Sequence, residues 1–166
     1  MTPPVATKAR ENDPLLLDRQ VCFPLYAATN LLNRLYGPVL GELGLTYPQY
    51  LVMLVLWEHG VQAVGALGAR LYLDSGTLTP LLKRMEAAGL VVRARDPKDE
   101  RRVLVTLTDQ AHALRARAAH VPDTISGGYE PEGLDELRDS VRQLVSALAQ
   151  RNGKAPPSSR PSPRGQ

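Results

Sequence analysis

The sequence predicts a mainly α-helical protein with a small β-hairpin: a winged helix-turn-helix whose N- and C-terminal helices form a dimerisation domain. Three observations predict it. The stretch Tyr72–Leu107 reads as one helix followed by a two-stranded hairpin with a charged tip. Further helical segments lead directly into that stretch. Two outer helical blocks then carry more apolar side chains than a compact winged helix needs, and their natural use is to pack against the same blocks of a second copy.

Residues 1–13 are polar with two early prolines and are expected to form a flexible arm. Leu25, Leu31, Leu32 and Leu35 stand near helical spacing, which predicts a long, mostly buried helix from about Asp18 to Leu43. Pro24 implies that regular helix starts just before it, and Gly37-Pro38 predicts a break or kink. Gly44 closes the segment. Thr46-Tyr47-Pro48-Gln49 is a capping box opening a helix that stops at Gly60, with Leu51, Leu54, Val55 and Trp57 as its core residues. A short helix is expected over Val64–Leu71.

The next helix is the one the domain presents. Asp74 or Ser75 can cap it, since a short oxygen-bearing side chain satisfies an orphaned backbone N–H. Leu78, Leu81, Leu82 and Met85 recur at helical spacing as one apolar stripe, while Thr77, Thr79, Lys83 and Arg84 share the opposite face. Gly89 supplies a left-handed stop. Leu90–Arg95 alternates apolar and basic side chains, Asp96–Arg102 is a polar tip opened by Pro97, and Val103, Val105 and Leu107 alternate back. Such a helix suits a major groove, and such a tip suits the DNA backbone or minor groove. Thr108-Asp109 caps a following helix anchored by Leu114, and a loop is expected over Pro122–Gly133. Leu134, Leu137, Val141, Leu144, Val145 and Leu148 mark a last amphipathic helix. The domains are therefore an arm over 1–13, a helical dimerisation region over 14–45 and 109–152, a winged-helix DNA-binding domain over 46–108, and a disordered basic tail over 153–166.

Of 166 residues 43% are apolar, enough for one good core but hardly two. The net charge of +3 carries no argument for DNA binding, because the tail's Lys154, Arg160 and Arg164 account for all of it. Distribution is more telling: Lys83–Arg102 holds seven Lys or Arg against four acids. No window approaches a membrane span and no signal-like segment opens the chain, which predicts a cytoplasmic protein without a membrane partner. Cys22 is the single cysteine, so no internal disulfide can form. His59, His112 and His120 are scattered without metal-ligand spacing, so neither a metal site nor a cofactor is expected.

On residues alone, Cys22 between Val21 and Phe23 reads as an inert buried thiol, and Tyr36 and Tyr47 as ordinary amphipathic core residues. Three segments change that reading. Leu45–Glu58 (LTYPQYLVMLVLWE), Leu71–Val91 (LYLDSGTLTPLLKRMEAAGLV) and Asp99–Thr108 (DERRVLVTLT) resemble the MarR family of dimeric winged-helix regulators. More narrowly they resemble its OhrR branch, the sensors of organic hydroperoxides, and the single Cys22 fits that branch's one-cysteine subtype. The likeness is close over about Leu17–Pro122. Leu17–Tyr26 matches the branch pattern LxxQxCFxLY around its reactive cysteine, with Pro24 as a departure. The resemblance implies that Cys22 is the redox sensor, that Tyr36 and Tyr47 hydrogen-bond its thiolate across a dimer, and that Tyr26 is a third tyrosine near it. It also implies that Arg101 enters the minor groove, supported by Asp99. Oxidised by a hydroperoxide, such a cysteine would be capped by a small thiol.

Pattern and resemblance together give Ser75, Thr77, Thr79, Pro80, Lys83, Arg84, Arg93, Arg95, Asp99 and Arg101 as candidate DNA-binding residues. The function expected is a homodimeric, non-enzymatic transcriptional repressor on a palindromic operator, released when Cys22 is oxidised. The rivals are a family member released by a phenolic or drug-like effector, a thiol peroxidase using Cys22, and a winged helix that binds only protein.

Overall fold

The computed structural model describes residues 13–126 and 131–153. After a single 3-10 turn at Leu17–Arg19 come α1 (Cys22–Gly41), α2 (Tyr47–His59), β1 (Gln62–Ala63), α3 (Val64–Leu71) and α4 (Ser75–Ala87). The strands β2 (Val91–Asp96) and β3 (Asp99–Leu107) follow, then α5 (Asp109–Ala118), α6 (Val121–Ser126) and α7 (Pro131–Arg151). This is a winged helix-turn-helix between outer helices, as the sequence predicts. The expectations for an arm and a tail fall on residues that, Asp13 and Gly153 apart, lie outside those described.

The caps form where the sequence places them. Thr46 N–H donates to Gln49 Oε1 at 2.8 Å, closing the capping box of α2. Asp74 Oδ1 accepts from Thr77 N–H at 2.8 Å and opens α4. Gly89, at φ 71°, turns the chain from α4 into β2. Thr108 Oγ1 accepts from Ala111 N–H at 3.2 Å and opens α5. One core results: Leu40 of α1, Val52, Met53 and Leu56 of α2, Leu67 of α3, Leu78, Leu82 and Met85 of α4, Val91 and Val105 of the sheet, and Ala111 and Val121 behind them.

Several expectations are corrected. The hairpin is one side of a three-stranded antiparallel sheet in the order β1-β3-β2, because the two residues before α3 pair with β3 at Gln62↔Val105 and Ala63↔Leu104. A two-residue strand leaves too short an alternation to read from sequence. The wing tip is also tighter than Asp96–Arg102. Asp96 pairs with Asp99 across an irregularity after Arg95, so only Pro97 and Lys98 turn and residues 99–102 belong to β3. Helix α6 occupies Val121–Ser126 where a loop was expected, and α7 already begins at Pro131.

Helix α1 differs most. It starts at Cys22 and runs through Pro38 unbroken. Pro24 falls in the first turn, where its missing N–H costs nothing, and Pro38 is exposed, so water can satisfy the carbonyl one turn back. The helix is not mostly buried: Leu40 is its one buried residue, while Leu31 and Leu35 stand 63% and 51% exposed. Leu54, expected in the core, is likewise 41% exposed, the inward face of α2 being Tyr50, Val52, Met53 and Leu56. Val141 and Leu148 repeat the pattern on α7.

Candidate functional site

Helix α4 turns its apolar stripe inward and leaves Ser75, Thr77, Pro80, Lys83 and Arg84 on an open face, with Thr79 half-buried at its edge. Thr77 has a second task, since its hydroxyl donates to Asp74 Oδ2 at 3.2 Å. These bonds from Thr77 hold the Asp74 carboxyl below its ordinary pKa, so the cap stays charged through the neutral range. At the wing, the Arg101 side chain is 94% exposed, and its N–H and Nε lie 3.1 and 3.4 Å from Asp99 Oδ1. The carboxylate thus steadies an arginine whose guanidinium faces solvent.

The other two wing arginines on the candidate surface are committed within the chain. Arg93 forks onto Glu86 of α4: its Nε and Nη2 reach Oε2 at 3.0 and 2.5 Å, and its backbone N–H reaches Oε1 at 3.1 Å. Those bonds pull the Glu86 carboxyl below its ordinary value, with the Arg93 side chain as the largest cause. Arg93 therefore braces β2 against α4. Arg95 donates through Nη1 to the Glu100 carbonyl at 2.6 Å, across the wing. Arg102, which sequence reasoning passed over, lies 3.6 Å from the buried carboxylate of Asp96, which also accepts Lys98 N–H at 2.9 Å. Opposite charges seven residues apart across a glycine turn were the available signal for Glu86–Arg93, though no periodicity links them.

Cys22 is the first residue of α1 and is exposed. The chain entering it is held by Gln20, whose Nε2 donates to the Pro14 carbonyl at 2.6 Å. Tyr26 sits one turn further on, 67% exposed. Tyr36 lies near the other end of the same helix, about 21 Å from Cys22 at 1.5 Å per residue. It stacks on Tyr47 of α2 with ring centroids 4.6 Å apart, and Tyr50 stands 6.2 Å from it. Burial pushes the Tyr36 phenol above its ordinary pKa, with Tyr47 and Tyr50 adding to the rise, and burial likewise raises Tyr47 and Tyr50. All three remain protonated at neutral pH and so are hydrogen-bond donors. Within one chain, then, the structure brings Tyr36 and Tyr47 together and keeps both from Cys22.

Between α2 and α5 a cleft of about 830 Å³ is floored by Tyr50, Leu54 and Trp57 and edged by Glu58, His112 and Arg115. Among the described residues, no three His, Cys, Asp or Glu side chains could hold a metal ion, and no helix is long and apolar enough to cross a membrane.

Comparison with known proteins adds what geometry cannot. Residues 34–116 match the family of transcriptional regulators SarA/Rot. The organic hydroperoxide resistance transcriptional regulator of Bacillus subtilis is 45% identical over 142 residues, 84% of this chain and 97% of that one. Among solved structures, reduced AbfR bound to DNA superposes with a TM-score of 0.68 at 35% identity, covering 80% of this chain and 94% of that one. AbfR is a Staphylococcus epidermidis protein. Its overoxidised form bound to DNA gives 0.67 at 36% over 80% and 94%, and its disulfide form gives 0.57 at 36% over 83% and 98%.

Proposed function

The chain belongs to the SarA/Rot and MarR winged-helix transcriptional regulators, in their OhrR branch, and from that premise we propose that it is a repressor switched by organic hydroperoxides through Cys22. The reading has it act as a homodimer on a palindromic operator, without catalytic turnover. One observation carries the sensor: Cys22 opens the exposed helix α1, and Tyr36, with Tyr47 of α2 stacked on it, lies near that helix's other end. Two such helices packed antiparallel would bring each copy's Cys22 to the other copy's tyrosines, and the exposed Leu31, Leu35, Leu137 and Val141 supply the apolar surface for that packing.

A cysteine reacts with peroxides as its thiolate, and the phenolic donors stabilise that form. The sulfur attacks the distal oxygen of the hydroperoxide, the O–O bond breaks, and an alcohol leaves once its oxygen takes up a proton. The cysteine becomes a sulfenic acid. A small thiol then forms an S–S bond to it and water departs. AbfR has been captured both overoxidised on DNA and as a disulfide. With the overoxidised form still on DNA, a disulfide, rather than added oxygen alone, is favoured as the form that displaces the helix from its tyrosines. With one cysteine, this chain can reach a disulfide only with a thiol from elsewhere.

The test is operator binding by fluorescence anisotropy before and after one equivalent of cumene hydroperoxide with free cysteine. Wild-type protein should weaken from about nanomolar to about micromolar, roughly 4 kcal/mol. Cys22→Ser should bind DNA normally and ignore the oxidant. Dissociation of Cys22→Ser under the same treatment would place the sensor elsewhere. Continuous consumption of peroxide, in place of about one equivalent per site, would make the protein a peroxidase instead.

A further inference from the structure

The winged-helix domain ends at Thr108 and the outer helices resume at Asp109, and across that boundary one backbone residue is gripped from both sides. Ala111 is fully buried. Its carbonyl accepts the indole N–H of Trp57 at 3.1 Å, and its amide donates to Thr108 Oγ1 at 3.2 Å. The Thr108 hydroxyl in turn donates to the Gly89 carbonyl at 2.6 Å, at the left-handed stop of α4, and Thr108 N–H donates to the Leu90 carbonyl at 3.1 Å. On the other side Trp57 lies edge-on to Tyr50, centroids 6.4 Å apart, and Tyr50 neighbours Tyr36.

We infer that Trp57 and Thr108 are the positioning residues that carry the state of the tyrosine pair to α4, an inference that rests on the peroxide-sensing reading above. Neither belongs to α4, and neither lies on the helix that carries Cys22. Each makes a directional bond on the same buried residue, so α5 cannot shift against α2 or against the end of α4 without breaking one of them. A buried polar group that loses its partner is costly, so the joint favours two discrete arrangements over gradual yielding. Trp57 senses the aromatic cluster, Ala111 is the shared hinge point, and Thr108 is fixed to the end of α4.

The experiment measures the ratio of operator affinities before and after cumene hydroperoxide with free cysteine, in full-length protein. Trp57→Phe keeps an aromatic ring against Tyr50 but deletes the N–H. Thr108→Val keeps the shape but deletes the hydroxyl, and Thr108→Ser restores it. The expected result is a ratio lowered roughly tenfold in Trp57→Phe and in Thr108→Val, the scale of a typical site-to-site coupling. Thr108→Ser should keep the wild-type ratio, and the Trp57→Phe, Thr108→Val double variant should fall no further than either single change. Because Trp57 is the only tryptophan, its emission should also change on oxidation of the wild type without DNA, and stay constant in Cys22→Ser.

A Trp57→Phe protein whose reduced affinity drops while the ratio stays at the wild-type value would overturn the inference and leave only a packing role. So would emission that ignores oxidation in a protein that does release DNA. If wild type itself shows no change in affinity, the peroxide reading fails and takes this inference with it, a result distinct from the first two.

Discussion

Replacing Gly68 with alanine should damage this fold in a way that the same replacement at Gly65 does not. Both glycines lie in α3, so both changes bring a gain in helix propensity, roughly 0.5–1 kcal/mol in the interior at Gly68 and less in the first turn at Gly65. Their surroundings differ. A Cβ at Gly68 would meet the Leu73 carbonyl oxygen at 2.9 Å and Leu78 Cδ2 at 3.6 Å, whereas a Cβ at Gly65 meets nothing within 4 Å. The oxygen at 2.9 Å belongs to backbone, and that backbone is tied back by the bond from Leu73 N–H to the Gly68 carbonyl. The clash must therefore be relieved by moving the end of α3 away from the start of α4, an overpacking cost of about 1–3 kcal/mol. Because the propensity gain is if anything larger at Gly68, a lower stability of its alanine variant must come from the clash. Urea denaturation is the assay: Gly65→Ala should be at least as stable as wild type, with Gly68→Ala lower than Gly65→Ala by about 1–3 kcal/mol at unchanged m. Leu73 directly precedes the Asp74 cap, so the shift should also tilt α4 and weaken operator binding. Equal stability of the two alanine variants would refute the claim that the Leu73 carbonyl leaves no room for a side chain at Gly68.

Three further outcomes follow from the site. Arg101→Ala should weaken binding and lower the slope of log affinity against log salt by about one, as for loss of one phosphate-type contact; an unchanged slope would take the wing out of the interface. Tyr36→Phe and Tyr47→Phe should bind DNA but react with hydroperoxide more slowly, each removing one donor from the thiolate, and stopped-flow consumption of one equivalent measures it. Finally, the Glu86 carboxylate is held below its ordinary pKa by Arg93, so its contribution is complete above the unfolded value and is lost as pH falls through the folded one. Thermal melts should accordingly show wild type above Glu86→Gln at neutral pH, the gap closing on acidification through the carboxylate range; a gap independent of pH would mean the ion pair is not its source.

The winged helix was legible because its signals are local. Asp74, Gly89, Thr46 with Gln49, and Thr108 each act within a turn of themselves, and each sits where its chemistry predicts. What escaped the sequence joins distant residues: the strand pairing of Gln62 with Val105, the fork of Arg93 on Glu86, and the Trp57 bond to Ala111. Arg93 and Arg95 look like their exposed neighbour Arg101 in any count of charge, and only coordinates separate braces from a free contact. Helix α1 misled in the opposite direction. Its leucines carry a core helix's pattern, but the surface that would bury them is not supplied by the described residues of this chain.

The placement of Cys22 about 21 Å along α1 from Tyr36 also has a genetic meaning. Under the antiparallel reading, the reactive sulfur and its donors come from different polypeptides, so lesions in the two halves are separable alleles. A cell making both Cys22→Ser and Tyr47→Phe chains would assemble mixed pairs in which one sensing centre lacks both components and the other is wild type. Mixed pairs would thus hold one intact centre that neither parental pair has, while the Cys22→Ser pairs formed beside them would stay on DNA. A Cys22→Ser allele co-expressed with wild type would behave as a partial dominant, silencing one centre in every mixed pair.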